Sequence, residues 1–202
     1  MNWLVQILAR NPWLHYWEQR IAGIGFYERV KNLLTSQGAF EPKKRVLEIG
    51  CGQGILADWF TGGGYVGVDT DFPSLQFAQS RSKRNHFICQ DAAGLSFRDR
   101  TFDIVLSVGV LHHLDNHQFR QHFKEAFRVL KPGGKVIVYD CIRPEPKDYL
   151  RYWCSKLERG AHLRSEEDLR RSFRESGIVS PTLQRSKSLV IQSYSLLAEK
   201  PA

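Results

Sequence analysis

The spacing of apolar positions along the middle of the chain predicts strands that alternate with helices. Short apolar runs bounded by turn residues predict five strands, at Val46–Ile49, Tyr65–Val68, His86–Cys89, Phe102–Ser107 and Lys135–Asp140. Helical periodicity predicts helices around them, at 20–34, Ile55–Phe60, Phe72–Ser80 and Phe119–Leu130. Alternation of this kind indicates β-α-β units joined by right-handed crossovers. The expected fold class is therefore α/β, a doubly wound three-layer sandwich.

The remaining segments flank this predicted core. We expect a single domain over 1–202, with an N-terminal helical cap at 1–40 and a core at 44–140. The C-terminal part, 141–202, is expected to leave the sheet after the fifth strand, in a segment that we call the excursion, and then to return and close the fold. Its predicted elements are a helix over Asp148–Arg159, a helix opened by a Ser165-x-x-Asp168 capping box, and a hairpin formed by Val179–Leu183 and Val190–Leu197.

Composition excludes several classes of protein. The chain has 202 residues, of which 42% are hydrophobic and 12% aromatic. This apolar content is too high for an intrinsically disordered chain, which would leave it exposed to water. No apolar stretch reaches the roughly 18 residues of a membrane-spanning helix, and Met1–Arg10 lacks the pattern of a secretory signal. None of the four cysteines forms a C-x-x-C pair. We therefore expect neither a disulfide framework nor a cysteine zinc site, and a reducing, cytoplasmic location.

The net charge of +8 raises the question of a nucleic-acid partner. Its distribution is diffuse: 4 basic against 2 acidic residues in 1–40, 13 against 11 in 41–140, and 12 against 8 in 141–202. Nucleic-acid binders usually concentrate basic residues on one face or tract. The densest clusters, around Arg81–Arg84 and Arg170–Arg174, are short. We favour a solvated surface over phosphate binding, and a nucleic-acid partner is not expected.

Polar and glycine residues follow the predicted strands, where open parallel sheets bind their ligands. After the first four strands come, in order, Gly50-Cys51-Gly52-Gln53-Gly54, Asp69-Thr70, Asp91-Ala92, and Ser107 followed by His112-His113. Glycines permit a tight turn and close approach to a ligand. Asp69 can accept hydrogen bonds from ribose hydroxyls, and Asp91 can accept one from the adenine amino group. Each residue alone is equally compatible with a structural turn or cap, but the ordered set predicts an adenosine-type ligand.

The glycine spacing narrows the choice of ligand. The spacing Gly50-x-Gly52-x-Gly54 departs from the G-x-G-x-x-G of nicotinamide enzymes, which disfavours an NAD-dependent oxidoreductase without excluding it. A P-loop is excluded because no Gly-Lys-Ser or Gly-Lys-Thr follows. One carboxylate for the ribose and a separate one for the adenine amino group suit a nucleoside that carries no phosphate. Acidic residues that flank the loop also suit a cationic ligand.

Five segments together resemble a known family. They are VLEIGCGQG (46–54), GVDTD (67–71), QDA (90–92), FDIVLSVGVLHHL (102–114) and RVLKPGGKVIVYD (128–140). They resemble class I S-adenosylmethionine-dependent methyltransferases, and within these the subgroup of the ubiquinone/menaquinone C-methyltransferases. The resemblance implies a Rossmann-like, mostly parallel seven-stranded sheet with an antiparallel last strand, and S-adenosyl-L-methionine as the cofactor.

The resemblance also implies roles for individual residues. By position, the methionine part of the cofactor would be held by Glu48, Gly50, Cys51 and Gly52. The ribose and adenine would be held by Asp69, Thr70, Asp91 and Ala92, and Ser107 would lie near the methionine amino group.

Methyl transfer requires alignment of the acceptor, and it requires a general base only if the acceptor must lose a proton. His112 and His113 are the candidates for that base, and packing or cofactor contact is the alternative role for both. His113 and His117 have the i, i+4 spacing of helical metal ligands. Because no third ligand is evident, a metal site is not expected.

The acceptor is expected to lie beneath the segments outside the core. Residues 1–40 and 141–165 are rich in aromatic side chains, namely Trp13, Tyr16, Trp17, Tyr27, Tyr149, Tyr152 and Trp153. Such residues predict a lid over a small apolar, aromatic or lipid-like acceptor. Simple packing onto the sheet and contact of residues 1–20 with a membrane surface are the alternatives. An RNA methyltransferase and a non-catalytic cofactor-binding protein remain open as alternative functions.

Overall fold

A computed structural model describes Tyr16, 24–62, 64–145, 147–149, 151–152, 162–178, 181–187 and 192–201. Its helices are α1 Ile24–Ser36, α2 Phe72–Arg81, α3 Asn116–Val129 and α4 Glu166–Glu175, with short 3₁₀ helices at Leu56–Trp59 and Leu111–His113. Its strands are β1 Val46–Ile49, β2 Tyr65–Asp69, β3 His86–Cys89, β4 Phe102–Val108, β5 Leu130–Cys141, β6 Thr182–Lys187 and β7 Gln192–Glu199.

The strands form one seven-stranded sheet in the order β3-β2-β1-β4-β5-β7-β6. The pairs from β3 through β5 are parallel, and β7 is antiparallel to both of its neighbours. The doubly wound α/β prediction, with seven strands and an antiparallel last strand, is confirmed. Strand order reverses between β1 and β4, which are adjacent. In such sheets the crevice at this reversal binds the ligand.

Each face of the sheet is covered by a separate apolar layer. On one face, α3 and α4 contribute the fully buried Phe119, Phe123 and Phe173. On the other face, α1 packs Val30 and Leu34 against the sheet. Apolar burial of this kind supplies the main driving force for folding. The two layers hold the sheet rigid while its strand-end loops remain available for function.

The predicted end of α3 is confirmed, but the residues after it differ from expectation. Lys131-Pro132-Gly133-Gly134 lies inside β5 rather than before it. The strand register shifts there, because Phe102 pairs with Leu130 whereas Ile104 pairs with Lys135. A Cβ at Gly134 would lie 2.8 Å from the Lys131 carbonyl oxygen, so the bulge needs glycine. The sequence correctly indicates that the helix ends here, but it does not show that the pairing between β4 and β5 continues on both sides of the bulge.

The C-terminal predictions are confirmed where the structure describes them. Ser165 and Asp168 form the capping box that opens α4. The closing hairpin is present as β6 and β7, a few residues later than expected. Of the predicted helix at Asp148–Arg159, Tyr149, Arg151 and Tyr152 are helical, and its continuation from residue 153 lies outside the described residues. Within the described ranges, no helix has the length and apolar character needed to cross a membrane.

Truncation of a central aromatic residue tests this packing. Phe123 is fully buried, with ring centroids 4.9 Å from Phe119 and 5.5 Å from Phe173. Phe123→Ala should lower the free energy of unfolding by about 3–5 kcal/mol in urea denaturation, because it removes apolar contacts and leaves a cavity. The matched control is Phe72→Ala, since Phe72 is 56% exposed. Equal losses in the two variants would contradict the assignment of Phe123 to the core.

Candidate functional site

The glycine loop after β1 is shaped by close contact with the loop after β4. Gly50 has φ of +78°, and a Cβ there would overlap the Val110 side chain. Gly54 has φ of +69°, and its Cβ would lie 2.9 Å from that of Ala78 in α2. These two positions require glycine for both backbone conformation and space. The loop is therefore fixed against β4 and α2 before any ligand binds.

The amide groups of this loop are used inside the protein. The N–H groups of Gly50 and Cys51 donate to the Val68 carbonyl oxygen at 2.8 and 3.0 Å. The Gly52 N–H donates to Asp69 Oδ2 at 2.8 Å. A phosphate-binding loop instead directs such amides at its ligand. This donor set therefore suits a ligand without phosphate, as the glycine spacing predicts.

Asp69 ends β2 and closes the loop from the other side. Its Oδ1 accepts from the Asp71 N–H at 2.9 Å, while Oδ2 accepts from Gly52. Each carboxylate oxygen has two acceptor positions, so both oxygens can still accept from hydroxyl donors. The structure thus brings Asp69 beside the glycine loop, as a ribose-binding role requires.

Glu48 lies beneath the same loop, inside the sheet. It is 2% exposed and accepts a hydrogen bond from the Tyr65 hydroxyl. Burial raises the pKa of Glu48 from 4.5 to about 8, with the neighbouring Asp69 charge acting in the same direction and the Tyr65 bond opposing it. Burial also raises the pKa of the Cys51 thiol, which rules out a thiolate at neutral pH. Both side chains sit below the loop, and Glu48 is held by Tyr65.

The adenine-side residues are more accessible. Thr70 and Asp91 are exposed, and Ala92 is partly buried. Asp91 Oδ1 accepts from the Ala93 N–H at 2.8 Å, which fixes the turn after β3. The backbone N–H of Gln90 donates to the Asp69 carbonyl oxygen at 3.0 Å and thereby joins this turn to the end of β2. These residues form one continuous edge with the glycine loop.

Ser107 lies in β4 and is paired with a histidine on α3. It is fully buried, and its hydroxyl lies 2.9 Å from His122 Nε2 on α3. Burial lowers the pKa of His122 to about 4, so the imidazole is neutral at physiological pH. The hydroxyl is therefore used between the sheet and α3, and the position of Ser107 near the methionine amino group stays a prediction.

The two adjacent histidines occupy different environments. His113 is exposed, whereas His112 is buried with Nδ1 2.5 Å from Asp140 Oδ1 at the end of β5. Asp140 is fully buried, and its Oδ2 accepts from the Val110 and Leu111 N–H groups. The two rings are 4.1 Å apart. The structure thus separates the two candidates by burial, and the Asp140 carboxylate orients the His112 ring.

Residues 162–165 cover the histidine loop. The His162 N–H donates to the His112 carbonyl oxygen at 2.9 Å. The Arg164 guanidinium donates to the carbonyl oxygens of Leu111 and Leu114 at 2.9 and 2.7 Å, and it lies 4.6 Å from the Phe119 ring centre. Burial lowers the pKa of Arg164, yet arginine retains its charge in proteins. The excursion therefore returns to the sheet at the ends of β4 and β5.

The structure describes only some of the aromatic residues of the predicted lid. Trp13, Trp17 and Trp153 lie outside the described residues. Tyr27 packs among aromatic neighbours, 5.4 Å from Phe26 and 6.4 Å from Trp59, and Tyr149 is 74% exposed. Tyr27 thus matches the packing alternative.

Tyr16 connects the N-terminal segment to the cofactor side of the sheet. Its hydroxyl bonds to Asp58 at 3.0 Å, and the Arg81 guanidinium stacks 3.9 Å above its ring. Arg81 also donates to the Gln53 carbonyl oxygen at 3.4 Å. Tyr16 is therefore linked to the glycine loop through Arg81.

One group of possible metal donors occurs in the described part of the chain. Donor atoms of His112, Asp140 and Cys141 lie within 4.8 Å of one another. We assign no metal there, because both Asp140 oxygens already accept hydrogen bonds. His113 and His117 have no further donor grouped with them among the residues described.

Two residues that shape the site were not predicted from the sequence. Asp140 directly ends the fifth strand, so the same inspection of strand ends that found Asp69 would have found it. Arg164 had no such signal, because its burial depends on where the excursion returns.

Comparison with known proteins agrees with this geometry. Residues 47–138 match the family model described as a methyltransferase domain. The chain is 33% identical over 147 residues to the mouse (Mus musculus) protein named probable tRNA methyltransferase 9B, covering 67% of this chain and 32% of that protein. It is 36% identical over 127 residues to phthiotriol/phenolphthiotriol dimycocerosates methyltransferase 1 of Mycobacterium ulcerans, covering 60% of this chain and 44% of that protein. The chain thus spans less than half the length of these curated relatives.

A solved structure shares the fold. The geranyl diphosphate C-methyltransferase of Streptomyces coelicolor A3(2), determined with S-adenosyl-L-homocysteine, superposes with a TM-score of 0.61 at 17% identity. The match covers 79% of this chain and 72% of that one. At this identity the likeness concerns the fold alone.

Removal of the Asp69 carboxylate tests its place at the ligand. Asp69→Ala should weaken S-adenosyl-L-homocysteine binding at least about tenfold, because it deletes charge-assisted hydrogen bonds worth about 1.5–3 kcal/mol each. Isothermal titration measures the change. Asp71→Ala is the control, since its carboxylate accepts from Ser74 Oγ at 2.6 Å and not from the loop. Unchanged affinity in a folded Asp69→Ala protein would limit Asp69 to a loop-closing role.

The buried Glu48 predicts a pH dependence of stability. Its pKa is about 8 in the folded state against 4.5 ordinarily, so between these values the folded protein holds a proton that the unfolded chain releases. The free energy of unfolding should therefore fall as pH rises from about 5 to 8, by at most about 1.4 kcal/mol per pH unit from this group. Glu48→Gln should flatten that fall in urea denaturation at several pH values. Parallel curves for the two proteins would contradict the assignment.

Proposed function

We propose that the protein is a class I S-adenosylmethionine-dependent methyltransferase that methylates a small apolar, aromatic or lipid-like acceptor. The match of residues 47–138 to the model of a methyltransferase domain supports this proposal. The observation that carries the cofactor assignment is the donor set of the glycine loop. Its amides are used internally, while the Asp69 and Asp91 carboxylates stand at the adjoining strand ends. Such a site suits a cationic nucleoside that carries no phosphate. Within the family, the motif residues favour the ubiquinone/menaquinone C-methyltransferase subgroup.

The chain's own residues would do the binding and the positioning. Asp69 and Asp91 would accept from the ribose and the adenine, and the backbone of the glycine loop would border the methionine part. The sulfonium supplies an electrophilic methyl group when the cofactor is bound. The protein would align the acceptor with that methyl group and exclude water, a contribution of about 7–11 kcal/mol in well-oriented reactions.

Three observations support a small acceptor. Aromatic residues are frequent in 1–40 and 141–165, the segments outside the core. The basic clusters are neutralised in part by acidic neighbours: Arg81 by Asp58 at 2.5 Å and Arg170 by Glu166 at 2.7 Å. The mycobacterial relative is named for a lipid substrate.

Methylation of tRNA is the second candidate. It is favoured by the relatives named probable tRNA methyltransferase 9B, which are 33% to 35% identical to this chain over their aligned parts. Phosphate contacts would then be needed, and their affinity would fall steeply with salt. Because Arg81 and Arg170 are paired with acidic residues, fewer basic side chains are available for phosphate contacts than the net charge of +8 implies.

Cofactor binding provides the first test. S-adenosyl-L-homocysteine should bind with micromolar affinity and raise the melting temperature, since a ligand specific for the native state stabilises it. Isothermal titration and thermal denaturation measure both effects. Tighter binding of NAD than of S-adenosyl-L-homocysteine would overturn the methyltransferase assignment.

The acceptor class is tested by transfer of a labelled methyl group. The protein is incubated with tritiated S-adenosylmethionine and, in parallel, with total tRNA or an organic-solvent extract of cellular lipids and quinones. Label should enter the solvent extract, and Asp69→Ala should abolish it at limiting cofactor. Label in tRNA, with tRNA binding that survives about 200 mM salt, would replace the small-molecule assignment by the second candidate.

Domain organisation and location are part of the same proposal. We retain a single domain over 1–202, with the cap at 1–40, the core at 44–140 and the closing part at 141–202. A cytoplasmic protein with peripheral membrane contact through residues 1–20 would fit a lipid-like acceptor. Fractionation of cells that express the tagged protein tests the location.

A further inference from the structure

Arg81 joins three parts of the protein that are distant in the sequence. It lies in the last turn of α2, and its Nη2 donates to Asp58 Oδ2 at 2.5 Å and to the Tyr16 hydroxyl at 2.7 Å. The Tyr16 hydroxyl donates to the same Asp58 oxygen at 3.0 Å. We call these three side chains the Tyr16 cluster. The cluster connects α2 to the 3₁₀ helix Leu56–Trp59 and to the part of the chain that precedes α1.

The Tyr16 cluster is packed as well as hydrogen-bonded. The Arg81 guanidinium lies 3.9 Å from the centre of the Tyr16 ring and 5.5 Å from that of Phe77, which is about one turn earlier on α2. Tyr16 is 4% exposed, and the side chains of Arg81 and Asp58 are 26% and 29% exposed. An ion pair that is partly shielded from water and stacked on an aromatic ring has a more defined geometry than a solvated surface pair. The cluster therefore holds the guanidinium in one orientation.

Three features connect the Tyr16 cluster to the glycine loop. Arg81 Nη1 donates to the Gln53 carbonyl oxygen in a long hydrogen bond of 3.4 Å. Asp58 lies on the 3₁₀ helix that follows the loop directly. Gly54 packs so closely on α2 that a Cβ there would lie 2.9 Å from that of Ala78, about one turn before Arg81. The position of the guanidinium is therefore coupled to the second half of the loop.

We propose that Arg81, oriented by Tyr16 and Asp58, is a positioning residue of the cofactor site, and that binding of S-adenosylmethionine is coupled through it to the seating of Tyr16. This inference rests on the proposed function, since it takes the glycine loop as the cofactor site. Arg81 acts through the backbone of Gln53 and through the packing of α2 on the loop, and it needs no contact with the cofactor. A loop that is already held in its binding conformation loses less conformational freedom when the ligand binds, which increases affinity.

Coupling of this kind acts in both directions. If the bonds of Tyr16 favour the loop conformation that binds the cofactor, the bound cofactor favours the seated Tyr16 to the same extent. Residues 1–40 are also the segment that the sequence predicts to cover the acceptor. Cofactor binding would then prepare the acceptor site, because it stabilises the attachment of this segment to the sheet through Tyr16.

The inference depends on the shape of the arginine side chain as well as on its charge. A guanidinium presents several N–H groups in one plane and can stack on an aromatic ring while it donates to two acceptors, whereas a lysine ammonium cannot. Lys83 lies two residues later, is exposed and carries the same charge. The chain thus offers both a conservative variant of Arg81 and a matched control for the loss of charge.

The first test measures S-adenosyl-L-homocysteine affinity by isothermal titration. Arg81→Gln should weaken binding about fivefold or more, because the loop loses its support from α2. Arg81→Lys should recover little of this loss, and Lys83→Gln should bind as wild type does. Full affinity in a folded Arg81→Gln protein, full recovery in Arg81→Lys, or an equal loss in Lys83→Gln would each contradict the inference.

The same titration tests the contribution of the Tyr16 hydroxyl. Tyr16→Phe removes the hydroxyl and keeps the ring beside the guanidinium. It should weaken binding by about twofold to tenfold, the usual effect of one hydrogen bond. In the double variant it should add nothing to the loss caused by Arg81→Gln, because the hydroxyl acts through Arg81. Unchanged affinity in Tyr16→Phe, or additive losses in the double variant, would count against the coupling.

The second test observes Tyr16 directly and needs no acceptor. In protein labelled with 3-fluorotyrosine, the ¹⁹F resonance of Tyr16 is assigned from its loss in Tyr16→Phe. Saturation with S-adenosyl-L-homocysteine should change this resonance in wild type, and Arg81→Gln should abolish the change. A Tyr16 resonance that ignores the ligand in wild type, or that responds equally in Arg81→Gln, would overturn the inference.

Failure of this inference is distinguishable from failure of the proposed function. Absence of S-adenosyl-L-homocysteine binding to wild type overturns the proposed function, and the inference with it. Binding to wild type that Arg81→Gln and Tyr16→Phe leave unchanged rejects the positioning role alone and leaves the methyltransferase assignment in place. If Arg81→Gln does not fold, the affinity of Tyr16→Phe and the ¹⁹F response of wild type still decide the matter.

Discussion

The parallel pairing of β1 with both β2 and β4 is the constraint on which the site depends. Parallel strands place their carboxyl ends at one edge, so residues far apart in the chain become neighbours. Gly50 then contacts Val110, and Gly52 donates to Asp69. A one-residue slip of β1 would reverse the faces of Leu47 and Glu48. The apolar layers on the two faces prevent that slip and thereby fix the site.

The buried polar groups near this edge of the sheet have different kinds of partner. Glu48 with Tyr65 and Ser107 with His122 are paired within the sheet or between sheet and helix, beneath the site. Asp140 differs, because it supports the backbone after β4 and also contacts an imidazole. A buried carboxylate is costly unless it is well paired. Asp140 meets this condition, because three backbone N–H groups and the His112 ring surround its carboxylate.

Local patterns in the sequence were sufficient for the fold, and non-local contacts explain what they missed. Strand and helix boundaries followed from apolar spacing and turn residues, and the strand-end rule found Asp69 and Asp91. The same rule was not applied to β5, where it would have indicated Asp140. The burial of Ser107 against His122 and the return of Arg164 over the histidine loop depend on tertiary packing, which spacing along the chain does not encode. The bulge in β5 was missed because Pro132 and two glycines usually end a strand pattern.

The place of β7 in the sheet has a consequence for synthesis of the protein. β7 lies between β5 and β6, yet it follows both of them in the chain. Until residues 192–199 emerge, the twelve-residue strand β5 has one unpaired edge rich in valine and isoleucine. Exposed edges of this kind recruit other strands and promote aggregation. The nascent chain thus carries an aggregation hazard in the interval between emergence of β5 and emergence of β7, and a chaperone that covers this edge would protect a chain stalled there.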